Sequence, residues 1–245
     1  MTEYWRTIQI DGKSADVFEP PDAVPERAVV FLHGHGGATL LGNEVYTAEF
    51  AKHKLRVICP HGGKSWWTPF ISEEFDDQIS PIDFLLNNVA DWIKDNWATV
   101  PPNIAIAGVS MGGQGAVQLS YRHARKYPAV VAISPIVDFD RLWGNGLPLD
   151  DIFDTQEAAR QASPILHLHP LNWPRYQLIC CDPADEYWFD GTQRLASKLY
   201  STGIAFDSDF ESTGGGHTWE YFDSRAPKVV EFLAKSLESE SLRLI

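Results

Sequence analysis

A mainly parallel α/β fold is the architecture this sequence predicts, on three observations. Continuous apolar runs, AVVFL at Ala28–Leu32, LRVIC at Leu55–Cys59 and AVVAI at Ala129–Ile133, suit strands covered on both faces. Segments of helical periodicity separate them. Glycine-rich loops follow several of the strands directly. Strands alternating with helices in this way build a sheet with helices on both faces.

The chain of 245 residues contains no Pro/Gly-rich linker and is expected to form a single α/β domain over 1–245. Its formal net charge of −13 argues against a nucleic-acid partner and against docking on anionic membrane, both of which want a basic face. Cys59, Cys180 and Cys181 are odd in number and read as buried free thiols. Glu3 and Arg6 interrupt the N-terminus where a secretory signal needs an apolar run, and no segment approaches the roughly 18 apolar residues of a membrane span. The expected location is therefore the cytoplasm. Nothing in the sequence fixes an oligomeric state.

Trp5 to Phe18 reads as a hairpin turning at Asp11–Gly12, and Pro20, Pro21 and Pro25 then break the chain. AVVFL runs into His33, Gly34, His35, Gly36, Gly37, a loop that exposes backbone N–H groups. Its histidines lack carboxylate or cysteine partners at metal-ligand spacing, so no metal or cofactor is expected. Asn43–Lys52 is a predicted helix, and LRVIC opens into a glycine loop followed by Trp66 and Trp67. These two tryptophans divide equally between core packing and a wall of the substrate pocket.

Ile79–Trp97 carries a helical period through Ile82, Leu85, Leu86, Val89 and Ile93. A strand at Ile104–Ala107 leads to Gly108-Val-Ser110-Met-Gly112. A helix behind that serine runs through Val117–Tyr127 and is stopped by Pro128. After AVVAI, an insertion around 137–173 has weak periodicity, with a short helix at Thr155–Gln161, and is a candidate small cap. His167 and His169 within it read as ordinary packing or surface residues. YQLICC at Tyr176–Cys181 is the next strand, followed by a helix at Thr192–Leu199, an edge strand at Ile204–Phe210 and a closing helix at Pro227–Leu237.

The G-x-S-x-G pentapeptide between strand and helix places Ser110 on a tight turn with its hydroxyl exposed. Glycine is favoured two residues either side of it because a Cβ there would strike the neighbouring helix and strand. In a parallel sheet, functional groups collect after the carboxyl ends of strands. Ser110, Asp185 and His217 all fall there, in the chain order Ser, Asp, His. His217 would act as general base on Ser110, with Asp185 orienting the imidazole. Asp182, three residues earlier in the same loop, is the alternative acid. The expected oxyanion donors are the backbone N–H groups of Met111 and His35, with Gly36 as alternative to His35.

The chain resembles the α/β-hydrolase superfamily, and within it the esterase D type of serine esterase. The resemblance rests on LHGHGG at Leu32–Gly37, GVSMGG at Gly108–Gly113, CDPADEYWFDG at Cys181–Gly191 and GGHTWEYF at Gly215–Phe222. It implies an α/β-hydrolase fold with a mostly parallel central sheet of about eight strands. It also implies carboxylic ester hydrolysis through an acyl-enzyme, with Ser110 as nucleophile, His217 as base and Asp185 as acid. Many members have a glycine where this chain has Asp182. Members act on esters of many kinds, so the resemblance does not choose a substrate. The expected function is hydrolysis of short-chain or small aromatic acyl esters in a pocket walled by Trp66, Trp67 and Trp219. A thioesterase, a small-peptide hydrolase and a non-catalytic binding module are the competing readings.

Overall fold

The computed structural model describes residues 4–243, so Glu3, invoked above against a signal sequence, lies outside the described residues. Eight strands form one sheet in the order β1-β2-β4-β3-β5-β6-β7-β8. β1 (Trp5–Ile10) and β2 (Lys13–Phe18) pair antiparallel. The tight turn between them holds Asp11 and Gly12 at φ of 46° and 79°. Positive φ at both central residues matches the right-handed twist of the flanking strands, as Asp-Gly predicts. β2 lies antiparallel to β4 (Arg56–Pro60). From there β3 (Ala28–Leu32), β5 (Ile104–Val109), β6 (Ala129–Ile133), β7 (Tyr176–Cys180) and β8 (Asp207–Asp209) complete a parallel array.

The central strands are buried on both faces, and alternation sorts their side chains. Ala28, Val30, Leu32, Ile104 and Ile106 enter one core. Val29, Phe31, Ala105, Ala107 and Val109 enter the other. The second core is closed by α1 (Glu44–Lys52) and α8 (Trp219–Ser241). The first is closed by α2 (Pro81–Phe84), α3 (Ala90–Trp97), α4 (Met111–Arg122) and α7 (Phe189–Thr202). A π-turn at Leu85–Val89 joins α2 to α3, so the predicted helix is continuous in space but starts at Pro81 behind a Ser80 cap.

The largest departures from the expected extents are in α4, β8, α7 and α8. α4 leaves the helix at His123 instead of Tyr127, because the N–H groups of Lys126 and Tyr127 turn back onto the His123 carbonyl. β8 covers only three residues, since only Leu178–Cys180 of β7 pairs with it. α7 extends beyond the predicted segment at both ends and stops at Gly203 in the left-handed region. α8 begins eight residues before Pro227, at a Thr218 cap whose hydroxyl accepts the Tyr221 N–H. Proline usually ends a helix by removing a donor. Here the buried stripe of Tyr221, Phe222, Ala226, Val229, Val230, Leu233 and Leu237 carries the helix through it.

Residues 137–173 hold α5 (Leu149–Ile152) and α6 (Gln156–Ala162, capped by Thr155). Phe139, Leu149, Phe153, Ala159, Ala162 and Leu168 bury into the same core as α4. Polar bonds add register: Trp143 Nε1 donates to the Phe153 carbonyl at 2.7 Å, and Gln118 Nε2 of α4 to the Ala162 carbonyl at 3.2 Å. His167 meets the Arg122 guanidinium, and His169 accepts the Leu171 N–H. Among the described residues, no helix is long and apolar enough to cross a membrane.

Candidate active site

The turn after β5 carries Ser110 at φ 57° and ψ −121°, a region that costs free energy for any residue with a side chain. Its surroundings hold it there. A Cβ on Gly108 would lie 2.4 Å from the Gly112 carbonyl, and one on Gly112 would lie 1.9 Å from the Leu32 carbonyl oxygen. Both positions therefore have to be glycine for β5 and α4 to approach β3. The Ser110 N–H is fixed by the Ile133 carbonyl at 2.8 Å.

Two other strand ends deliver the partners. The loop after β7 presents Asp185, whose side chain is fully buried, and the loop after β8 presents His217. His217 Nε2 lies 2.9 Å from Ser110 Oγ, and its Nδ1 lies 2.7 Å from Asp185 Oδ2. Asp185 Oδ1 accepts the N–H groups of Tyr187 and Trp188. Burial pushes the Asp185 carboxyl up, but the hydrogen bond and charge of His217, together with the Trp188 N–H, more than offset it. The group therefore sits below its ordinary value. An ionised Asp185 accepts Nδ1–H and leaves Nε2 free to take a proton from the serine. The imidazole is flanked by Phe222 at 5.2 Å and Trp188 at 6.3 Å between ring centres.

Asp182 is engaged elsewhere. Its Oδ1 accepts the Ala184 N–H at 2.8 Å, and its Oδ2 accepts the N–H groups of Gly214 and Gly216 at 2.6 and 2.9 Å. Of the two aspartates, it is Asp185 that meets the imidazole.

The His33–Gly37 loop passes beside the serine. A Cβ on Gly34 would stand 3.2 Å from Ser110 Cβ. His33 holds this loop: its Nε2 accepts the Gly62 N–H at 2.9 Å, so Nδ1 carries the proton and donates to the Gly34 carbonyl at 2.7 Å. Burial lowers the His33 pKa and keeps the ring neutral, as that pair of bonds requires. Met111 is the first residue of α4, where a helix N–H has no partner within the helix.

Two clefts meet at this point, and Ser110, His35 and His217 line both. One, of about 340 Å³, runs along Gly34–Ala38 and under Thr218, Trp219 and Phe222. The other, of about 290 Å³, is strongly apolar and is walled by Trp66, Ile136, Leu142, Leu147, Tyr187 and Trp188. Trp66 and Trp219, expected in the pocket wall, each line one of these clefts. Trp67 does not. It is fully buried, with its ring against Gly62 and Gly115 and its Nε1 donating to the His33 carbonyl at 3.2 Å. It supports the loop from beneath and lines neither cleft. Trp188 and Tyr187, absent from the predicted pocket, follow Asp185 as directly as Trp66 and Trp67 follow their glycine loop. Adjacent aromatics at a strand end were the available signal.

The chain matches the family Esterase, described as "Putative esterase", over residues 20–232. Among solved structures it is similar to the S-formylglutathione hydrolase FrmB of Staphylococcus aureus, with a TM-score of 0.77 and 16% identity over 94% of this chain and 98% of that one. It is also similar to an S-formylglutathione hydrolase of Agrobacterium tumefaciens, with a TM-score of 0.79 and 15% identity over 95% and 94% of the two chains. At such identity these likenesses establish the α/β-hydrolase fold. Among curated proteins, the diacylglycerol acyltransferase/mycolyltransferase Ag85A of Mycobacterium tuberculosis is 22% identical over 217 residues, 75% of this chain and 64% of its own length. The chain therefore spans less than two thirds of that relative.

Proposed function

The chain belongs to the Esterase family, and from that premise we propose that it is a serine carboxylic ester hydrolase acting through an acyl-enzyme on short-chain or small aromatic acyl esters. The observation that carries the reading is the unbroken hydrogen-bonded chain from Ser110 Oγ through His217 to a buried Asp185, at the meeting point of two clefts.

Ser110 Oγ attacks the ester carbonyl as its proton passes to His217 Nε2, and the carbonyl π electrons move onto oxygen. The Met111 and His35 N–H groups are the assigned donors to that oxyanion, Met111 at the positive end of α4. Collapse breaks the carbon–oxygen bond, and the departing alkoxide takes the proton from Nε2. Water then repeats the sequence on the acyl-serine and restores the hydroxyl. Asp185 keeps the imidazole in the required tautomer and stabilises its cation.

The apolar cleft suits the acyl group. Its rigid aromatic and aliphatic wall offers burial without polar partners, and its volume of about 290 Å³ fits a short chain or a single aromatic ring. The alcohol then lies in the cleft under Trp219. Residues 137–173 supply Leu142 and Leu147 to the acyl wall and act as a small cap over it. Three buried, unpaired cysteines agree with a reducing compartment, and we place the enzyme in the cytoplasm.

The test is hydrolysis of p-nitrophenyl esters from acetate to octanoate by the native chain and by Ser110→Ala, with circular dichroism on both. Turnover that disappears in a folded variant supports the mechanism. A native chain inert on every ester, or a variant as active as the native chain, overturns it.

A further inference from the structure

We propose that Asp182 is the positioning residue for the general base: its carboxylate clamps the glycine loop that carries His217 to the same turn that carries Asp185. The inference rests on the ester-hydrolase reading and concerns how that reading's base is held in reach of Ser110.

The segment Gly214–Gly216 has no side chain with which to anchor itself, and Gly215 and Gly216 stand at φ of 86° and 77°. Glycine loses more conformational freedom on ordering than any other residue, so three in succession make a loop that wanders unless something fastens its backbone. The base following this loop must nonetheless keep Nε2 within hydrogen-bond reach of a serine 107 residues earlier. Asp182 provides the fastening. Fully buried, it takes the N–H groups of Gly214 and Gly216 on one oxygen at 2.6 and 2.9 Å.

Its other oxygen takes the Ala184 N–H, and its carbonyl takes the Asp185 N–H at 2.9 Å, so the clamp is itself rigid. The loops also touch directly: a Cβ on Gly216 would lie 2.9 Å from the Ala184 carbonyl oxygen. The turn Asp182–Asp185 thus makes two attachments to the base and its loop. Asp182 holds the backbone before His217, and Asp185 holds its ring. Thr218 closes the far side through its hydroxyl, which donates to the Gly214 carbonyl at 3.0 Å. Charge-assisted bonds from backbone N–H groups to a buried carboxylate are the strong kind, suited to a loop with no side chains of its own to anchor it.

Asp182→Asn keeps the volume and turns one acceptor oxygen into a donor. Asp182→Ala removes both acceptors. With the fold intact by circular dichroism, kcat per active site titrated by a fluorophosphonate is expected to fall about 10- to 100-fold in Asp182→Asn and further in Asp182→Ala, the size of effect that ångström-scale misplacement of a reacting group produces. KM should stay within about twofold, because neither cleft contains Asp182. Fluorophosphonate labelling of Ser110 should slow by the same factor as kcat.

Amide exchange reads the clamp without a substrate. The Gly214 and Gly216 N–H groups should exchange slowly in the native chain and at least about tenfold faster in Asp182→Asn. A folded Asp182→Asn with native kcat per site, or with a loss fully explained by its unfolded fraction, overturns the proposal. Should both variants fail to fold, native Gly214 and Gly216 amides exchanging like an open loop overturn it and protected ones support it. A native chain that neither turns over esters nor labels at Ser110 sinks the ester-hydrolase reading, a result separate from any difference among the Asp182 variants.

Discussion

Replacing Gly112 by alanine should disable the site from behind. The added Cβ would lie 1.9 Å from the Leu32 carbonyl oxygen, 2.4 Å from the Leu32 carbonyl carbon and 2.6 Å from the His33 carbonyl oxygen. All three are backbone atoms at the end of a central strand, so no rotamer change relieves the clash. β3 and the start of α4 have to separate by roughly 1 Å in a region packed at crystal density. Overpacking of this severity costs about 3 kcal/mol, a fall in melting temperature of roughly 10 °C for a chain this long.

The same ångström also parts the two assigned oxyanion donors, since Met111 moves with α4 and His35 with the β3 loop. A misplacement of that size costs about 100-fold in rate. The assay pairs a thermal melt with p-nitrophenyl acetate turnover per titrated site, and Gly36→Ala is the control for folding, because a Cβ there meets nothing within 4 Å. A Gly112→Ala chain that melts with the native protein and keeps its kcat would refute the packing argument and the donor geometry built on it.

Other expectations test the periphery. Asp209, buried among Arg225, Lys228 and Ser212, is pushed up by burial yet pulled down further by its Ser212 and Lys228 partners, to about 2. A carboxyl depressed on folding stabilises the native state above its unfolded pKa, near 4, and that stability drains away as pH falls through the folded value. Asp209→Asn should therefore cost about 2 kcal/mol at neutral pH in urea unfolding, with the difference from the native chain closing between about pH 4 and pH 2. A gap independent of pH would refute the linkage. Trp66→Phe removes part of the wall shared with His35 and Phe139 and should raise the octanoate-to-acetate ratio of kcat/KM several-fold. An unchanged ratio would place the acyl group in the other cleft.

What the sequence made legible was local. Gly108 and Gly112 announce themselves through their fixed spacing around Ser110, although the backbone that a Cβ on Gly112 would strike is the distant Leu32 carbonyl. The Asp11–Gly12 hairpin does so because both residues must take positive φ. The continuous apolar strands read correctly because burial on both faces leaves no polar positions. What stayed hidden depended on three-dimensional direction. Trp66 and Trp67 are neighbours of identical chemistry, yet one ring faces the apolar cleft and the other fills the space left by Gly62 and Gly115. Asp182 and Asp185 share a loop, and only the path of the glycine segment decides which meets the imidazole and which its backbone. The start of α8 was masked by Pro227, whose local preference the buried helix face overrides.

The proposed base, His217, enters the chain between the shortest strand of the sheet and its longest helix, at the opposite edge of the sheet from the β1–β2 hairpin. During synthesis Ser110 is therefore made 107 residues before His217, its proposed base. A chain that ends before His217 would, on the proposed mechanism, hold an unactivated Ser110 hydroxyl. On that mechanism, turnover requires His217 to reach Ser110 from the loop that leads into α8, the helix packed against α1. Recovery of ester turnover during refolding would thus time the arrival of the last helix, trailing any signal from the sheet, and an unfinished molecule would pose no hydrolytic hazard to its surroundings.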